Sequence, residues 1–249
     1  MPSGRNATSS LDPLIRFEAG DILGGKYEVI GSLGSGWEGQ VYLVVERATG
    51  IERAAKFFYP RRNPRNRTLI FHAKKLHRLR HCPIVIQYHT QESHLRDGYQ
   101  LTFLISEFVE GEILSDFLKR QPGRRLQPFE ALHLLHSLAS GIECIHTMRD
   151  YHGDLHVDNI MINRRGLGFD VKLVDVYRWD PPHRENIQED VFDLIRLFYD
   201  SLGGRRLYGK QPPEIKAICC GLKRSLIARK FRTAGQLRQC LERIHWESR

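Results

Sequence analysis

Between Tyr151 and Met161 the chain reads Tyr151-His152-Gly153-Asp154-Leu155-His156-Val157-Asp158-Asn159-Ile160-Met161. Asp154 and Asn159 are five positions apart and do not share a helix face, but a tight loop can turn both inward. That pairing suits one group that orients a hydroxyl and another that holds a divalent cation through a hard oxygen ligand. A second acid follows a short hairpin, at the end of the apolar strand Val171-Lys172-Leu173-Val174-Asp175. The bland alternative is a pair of solvated loop carboxylates with a capping Asn.

The elements that must position these groups are legible upstream. Tyr27–Leu33, Gln40–Glu46 and Ile51–Tyr59 read as strands by alternation and β-branching, joined by Gly-containing turns. Three strands with short connections make an antiparallel meander rather than a βαβ unit. The glycines Gly34, Gly36 and Gly39 join two strands and are followed by Val41, giving G-x-G-x-x-G-x-V. At a hairpin tip such glycines let backbone N–H groups approach phosphate oxygens without Cβ obstruction. Lys56 lies in a mostly apolar strand and needs an anionic partner, for which nucleotide phosphates would serve.

These four features, in this order and spacing, resemble the eukaryotic-like (Hanks-type) protein kinases, in a compact atypical form with a shortened activation segment. The resemblance covers Lys26 to Leu241 and implies an α+β, two-lobed protein-kinase-like fold: an antiparallel N-lobe sheet with one helix, and a mainly helical C-lobe. It implies an N-lobe over 25–107 and a C-lobe over 108–249, preceded by small residues over 1–24 that read as a flexible leader. The reaction implied is ATP- and Mg²⁺- (or Mn²⁺-) dependent phosphoryl transfer to protein Ser/Thr hydroxyls. By this resemblance Asp154 orients the acceptor hydroxyl, Lys56 binds α/β-phosphate oxygens, and Asn159 and Asp175 hold the metal. His156 stands where a lysine steadies the γ-phosphate, so a protonated imidazole would take its place. Leu33, Gly34, Gly36, Gly39 and Val41 cover the nucleotide. Ala54, Val41 and Met161 flank the adenine, while backbone groups of Glu107 and Val109 in the hinge Glu107–Gly111 read its edge and Ser106 is a small gatekeeper. Thr68–Arg80 is the N-lobe helix, with Thr68 as its N-cap. Phe129–Met148 delivers the chain to the Asp154 loop with Leu132 among its apolar residues. Asp190–Tyr199 is a buried helix whose Asp190 braces that loop, and Lys230–Leu237 is the last helical segment.

The departures from the family pattern bear on activity. The acid that pairs with the strand Lys falls at Ala73, and no Asp or Glu occurs between Arg53 and Gln91. Lys56 is left with Asp175, with nucleotide, or with a group brought from elsewhere. Gly153 replaces the Arg that receives an activation-loop phosphate, which argues against switching by that phosphate. The Asp-Phe-Gly motif is Asp175-Val176-Tyr177, and only Val176–Glu189 separates Asp175 from Asp190. Arg178-Trp179-Asp180-Pro181-Pro182 is a stiff replacement for a long loop. Lys230 stands where an Arg pairs the missing segment's Glu. Three function classes stay open: a compact Ser/Thr protein kinase of weak or ordinary activity, a nucleotide-binding pseudokinase or scaffold favoured by the missing acid, and a small-molecule phosphotransferase of the aminoglycoside or choline type. The spelling His152-Gly153-Asp154-Leu155-His156 favours the last.

Composition sets the outer bounds. The 249 residues carry a formal charge of +9, with 41% hydrophobic and 27% charged residues, ordinary globular values. No apolar run approaches the ~18 residues of a membrane span. Met1–Ser10 lacks a signal-peptide core, so a cytoplasmic location is expected. Basic residues crowd Arg53–Arg80 and the stretch after Gly204, while acids gather between Asp150 and Asp200. A positive shell around an acidic centre fits ATP with metal, and it admits an acidic protein surface or nucleic acid as partner. The scattered cysteines, Cys82, Cys144, Cys219, Cys220 and Cys240, lack metal-ligand spacing and read as free thiols.

Overall fold

A computed structural model describes residues 15–166, 168–175 and 183–244. The chain divides into two units, Met1–Lys74 with Gln87–Phe108, and Lys75–Ile86 with Val109–Arg249. This differs from a single cut after residue 107, because the helix after the third long strand runs out of the first unit and the chain returns at Gln87.

The first unit is built on a six-stranded sheet. Its strands are β1 (Ile22–Leu23), β2 (Tyr27–Ser35), β3 (Gly39–Glu46), β4 (Glu52–Phe58), β5 (Tyr88–Arg96) and β6 (Tyr99–Glu107). All neighbours pair antiparallel, in the order β1-β2-β3-β4-β6-β5. Successive side chains of a strand face opposite sides, and the two sides of β4 differ in kind. Ala55 and Phe57 enter a core with Val29, Tyr42, Val44, Phe103 and Ile105, where Phe57 stacks on Phe103 with ring centroids 4.7 Å apart. Ala54 and Lys56 face the other side.

The expected flexible leader does not extend to residue 24. Ile15 and Phe17 are buried in this core, and Tyr42 Oη donates to Ile15 O at 2.8 Å while accepting from Phe17 N at 3.1 Å. Apolar residues at 15, 17 and 23 cover the sheet face that would otherwise meet water, and β1 extends its edge. Residues 1–14 lie outside the described residues. The strand β5 was not foreseen: its side chains are half-exposed and exposed in turn, so it lacks an apolar run.

Helix α1 (Arg67–Arg78) follows β4. Thr68 is not its N-cap; Thr68 Oγ1 donates to Arg62 O at 2.5 Å, while Asn63 Oδ1 accepts from Leu69 N at 3.2 Å. In the second unit β7 (Glu112–Ile113), β8 (Ile160–Arg165) and β9 (Gly168–Leu173) form a small sheet. Helices α2 (Leu114–Arg120) and α3 (Pro128–Thr147) precede β8, and α4 (Arg184–Ser201) follows β9. Pro128 opens α3, where its missing N–H costs nothing, and Glu130 accepts from Gln127 N at 3.2 Å in a capping box. Ala131, Leu134, Leu135, Leu138, Ala139, Ile142 and Ile145 form its buried stripe. Leu134, not Leu132, lies on that face. Gly141 makes the packing close: a Cβ there would lie 2.2 Å from Ile84 Cδ1.

The last segments are α5 (Gly204–Tyr208), α6 (Pro213–Cys219), α7 (Arg224–Lys230) and α8 (Ala234–Glu242). The single helix expected over Lys230–Leu237 is two, broken where Thr233 caps α8 by accepting from Gln236 N at 3.2 Å. Lys230 Nζ donates to Ala217 O at 2.7 Å. Among the described residues no helix is long and apolar enough to cross a membrane.

Candidate active site

In the first unit the glycine-rich segment is the hairpin between β2 and β3, with Ser35 paired to Gln40. Leu33 and Gly34 lie at the exposed end of β2, and Gly34 has φ 147°, where a side chain is strained. Gly36 N donates to Gly39 O at 2.9 Å and closes the turn. Gly39 has a packing reason of its own: it pairs with Phe58 on β4, and a Cβ there would stand 1.9 Å from Phe57 O. Across the sheet, Val41 pairs with Lys56 and Lys56 with Leu104; one step along, Leu43 pairs with Ala54 and Ala54 with Ser106. Val41, Ala54 and Lys56 therefore share one face of the sheet. Glu107 ends β6; its N–H donates to Gln87 O at 2.9 Å and its Oε1 accepts from Gln87 N at 3.1 Å.

Lys56 meets an acid that sequence reading missed. Its Nζ lies 3.1 Å from Glu38 Oε2, with both side chains largely buried. The same oxygen lies 3.2 Å from His72 Nε2 on α1. The α1 residue facing this pair is thus His72, and the placement of the missing family acid at Ala73 is off by one. A usable signal was present: with no acid from Arg53 to Gln91, a partner for Lys56 had to come from outside that stretch, and Glu38 stands inside the glycine-rich turn.

In the second unit the Asp154 loop hangs on one buried carboxylate. Asp190 of α4 is fully buried; its Oδ2 accepts from His152 N and its Oδ1 from Gly153 N, each at 2.8 Å, and His146 Nε2 lies 3.0 Å from Oδ2. Asp190 braces the loop as the resemblance implied. Gly153 has φ 84°, a conformation that L side chains rarely adopt, which gives this position a backbone reason for lacking the family's Arg. His152 Nδ1 accepts from Asp154 N at 3.2 Å, and burial holds its imidazole below the usual histidine pKa. Just upstream, buried Asp150 pairs with Lys75 at 3.6 Å and with Arg78, tying the C-terminal half of α1 to the loop's entrance. Burial lowers the Lys75 pKa, opposed by Asp150. This pairing, too, was not foreseen.

Asp154, His156 and Asn159 converge. Asn159 Nδ2 donates to Asp154 O and Oδ2, each at 3.1 Å, and His156 Nε2 lies 3.4 Å from Asp154 Oδ2. His156 Nδ1 accepts from Asp158 N at 3.2 Å, which leaves Nε2 turned toward Asp154. Val174 N donates to Asn159 O at 3.1 Å, and Leu173 pairs with Ile160, so the β8–β9 hairpin sets Asp175 beside Asn159. The Asn159 amide nitrogen is turned to Asp154; its side-chain oxygen and the Asp175 carboxylate are hard oxygen donors of the kind that could hold Mg²⁺ or Mn²⁺. Met161 lies on β8, paired with Ile113 and Lys172, and Val109 follows Phe108 where the chain enters this unit. Helix α4 starts at Arg184, so the segment after Asp175 is short. Val176, Tyr177 and the Arg178–Pro182 stretch lie outside the described residues.

Comparison with known proteins bears on the family and the fold. The profile of the protein kinase domain matches residues 27–176. The serine/threonine-protein kinase pkn2 of Myxococcus xanthus is 30% identical over 159 residues, which is 62% of this chain and 18% of that protein. The putative cyclin-dependent kinase F-2 of Oryza sativa subsp. japonica is 28% identical over 155 residues, 60% of this chain and 46% of that one. The chain thus spans less than half the length of these relatives. Among solved structures the kinase domain of Mycobacterium tuberculosis PknI superposes with a TM-score of 0.65 at 18% identity, covering 91% of this chain and 99% of that one.

Proposed function

The chain belongs to the protein kinase domain family and has its fold, and from that premise we propose that it transfers the γ-phosphoryl group of ATP to serine or threonine hydroxyls of a protein, with Mg²⁺ or Mn²⁺. The observation that carries this reading is the convergence of Asp154, His156 and Asn159 on a loop held by the buried Asp190 carboxylate, with Asp175 next to Val174, whose N–H donates to Asn159 O. Phosphoryl transfer asks a protein for positioning and charge neutralisation more than for covalent chemistry. Asp154 accepts a hydrogen bond from the acceptor hydroxyl and turns it in line with the phosphorus. Asn159 and Asp175 hold the metal, which neutralises phosphate charge when bound. His156, with its Nε2 3.4 Å from Asp154 Oδ2, steadies the transferring group. In the first unit Lys56 takes phosphate oxygens, and Leu33, Gly34, Gly36, Gly39 and Val41 cover the nucleotide. Within the first unit Val41 and Ala54 offer adenine an apolar face and Glu107 its carbonyl, since the Glu107 N–H is already engaged by Gln87; within the second, Met161 and the Val109 amide take the adenine-binding roles that the family resemblance gives them.

The test is metal-dependent transfer from labelled ATP to a generic protein acceptor by the wild type and by Asp175→Ala. Transfer that requires Mg²⁺ or Mn²⁺ and disappears in Asp175→Ala, with the melting curve unchanged, supports the assignment. Equal activity of the variant overturns it.

A further inference from the structure

Helix α1 contains no acid, yet Lys56 is not left facing the helix alone. Between them lies Glu38, 8% exposed, with its Oε2 3.1 Å from Lys56 Nζ and 3.2 Å from His72 Nε2. His72 is itself only 3% exposed and packs against Phe58 with ring centroids 5.2 Å apart. A buried carboxylate needs partners of this kind, and a buried ammonium needs the carboxylate. We infer that Glu38 is a positioning residue: it holds Lys56 for the nucleotide phosphates, and through His72 it ties that lysine to α1. This rests on the proposed nucleotide-binding role of Lys56.

The hairpin is constructed to deliver Glu38 to that point. Gly39 has no Cβ, so β3 starts in close contact with Phe57 O and the turn folds back over β4. Glu38 O accepts from Tyr59 N at 2.8 Å, which fixes the residue's backbone at the end of β4. The preceding residue, Trp37, exposes its ring, and the Arg62 guanidinium sits 3.7 Å from the ring centroid. Three contacts thus hold the turn at consecutive positions: Trp37 on Arg62, the Glu38 backbone on Tyr59, the Glu38 side chain on Lys56 and His72. The glycine-rich turn, the lysine strand and α1 share one carboxylate oxygen, so a displacement of the turn moves the partner of Lys56 with it.

The experiment measures fluorescent ATP-analogue affinity, and kcat and KM for ATP, in the full chain. The variants are Glu38→Gln, Glu38→Ala, Lys56→Met, the double Glu38→Gln/Lys56→Met, and two relocations, Glu38→Ala/His72→Glu and Glu38→Ala/Ala73→Glu. Glu38→Gln keeps the shape and serves if Glu38→Ala does not fold. Misplacement of a positioned group by an ångström costs about 100-fold, and that loss is expected in kcat for Glu38→Gln, together with weaker binding of the ATP analogue. Glu38→Gln/Lys56→Met should bind nucleotide no more weakly than Lys56→Met, because Glu38 acts through Lys56. His72→Glu should restore activity to within about tenfold of wild type by returning an acid to the α1 position that faces Lys56, and Ala73→Glu should not. Wild-type affinity and turnover in Glu38→Gln, a gain of either, additive losses in the double variant, or equal rescue by Ala73→Glu would each overturn the inference. If the wild type transfers no phosphoryl group, the proposed reaction fails by itself, while the affinity cycle between Glu38 and Lys56 still decides this inference.

Discussion

Replacing Asp190 by Asn isolates the device that holds the Asp154 loop. Its carboxylate is fully buried and accepts from His152 N and Gly153 N at 2.8 Å, with His146 Nε2 at 3.0 Å. Asparagine keeps the shape and one acceptor oxygen but presents an amide donor where the second oxygen was. At least one buried backbone N–H then faces another donor. A hydrogen bond to a charged group is worth about 1.5–3 kcal/mol, and an orphaned buried donor costs about 1–3 kcal/mol. The expected loss is about 3–5 kcal/mol, a large share of the ~5–15 kcal/mol that keeps a domain folded. Urea unfolding followed by circular dichroism reads it directly, and Asp190→Ala, which removes both oxygens, should lose more. Transfer activity should fall in Asp190→Asn even at urea-free, low temperature where the chain is folded, because Asp154 rides on the released segment. A change below about 0.5 kcal/mol, the scale of an ordinary surface substitution, would refute the claim that Asp190 anchors the loop.

Other perturbations should follow the same geometry. Gly39→Ala places a Cβ 1.9 Å from Phe57 O, so the β3–β4 contact must open, at about 1–3 kcal/mol in urea unfolding. Asp150→Ala leaves the Lys75 ammonium buried without its acid and should cost about 3–5 kcal/mol, while Lys75→Met leaves Asp150 with Arg78 and should cost far less. Stability should fall on the acid side because of His152: burial depresses its folded pKa, so its contribution is complete above the unfolded value of about 6.5 and is lost as pH drops through the folded value. Urea midpoints from pH 8 to 5 check this, and His152→Asn should flatten the slope. Asp193 has the opposite sign. Burial, with Glu189 and Asp190 nearby, pushes its carboxyl up to about 6, so its contribution is present at low pH and lost as pH rises through that value. Asp193→Asn should therefore raise the urea midpoint at pH 7 relative to wild type.

What sequence could and could not reveal follows from how local each cause is. The strand meander, the Asp154 loop and its Asp190 brace are set by short-range alternation, by glycine and by motif spacing, and the structure has them. Helix α3 was readable because Pro128 and its apolar stripe act within one element. The burial of Ile15 and Phe17 was not: a few apolar residues among small polar ones acquire meaning only when the face of β4 that they cover is known. The strand β5, half-exposed throughout, has no apolar run to announce it. Glu38 was hidden for a different reason. A carboxylate between Trp37 and a glycine in an exposed hairpin looks solvated, and only the fold-back permitted by Gly39 buries it against Lys56. The one-position error between Ala73 and His72 has the same origin, since a helix face is fixed by what packs on it.

The central claim is phosphoryl transfer to protein hydroxyls with Asp154 orienting the acceptor. It is tested most directly by incubating the wild type and Asp154→Asn with γ-labelled ATP, Mg²⁺ or Mn²⁺ and a protein acceptor, then identifying the labelled residues by mass spectrometry. The account predicts phosphoserine or phosphothreonine in the wild-type reaction and its loss in Asp154→Asn at unchanged nucleotide affinity. Undiminished labelling by Asp154→Asn, or wild-type turnover of ATP that labels only a small molecule, would contradict it.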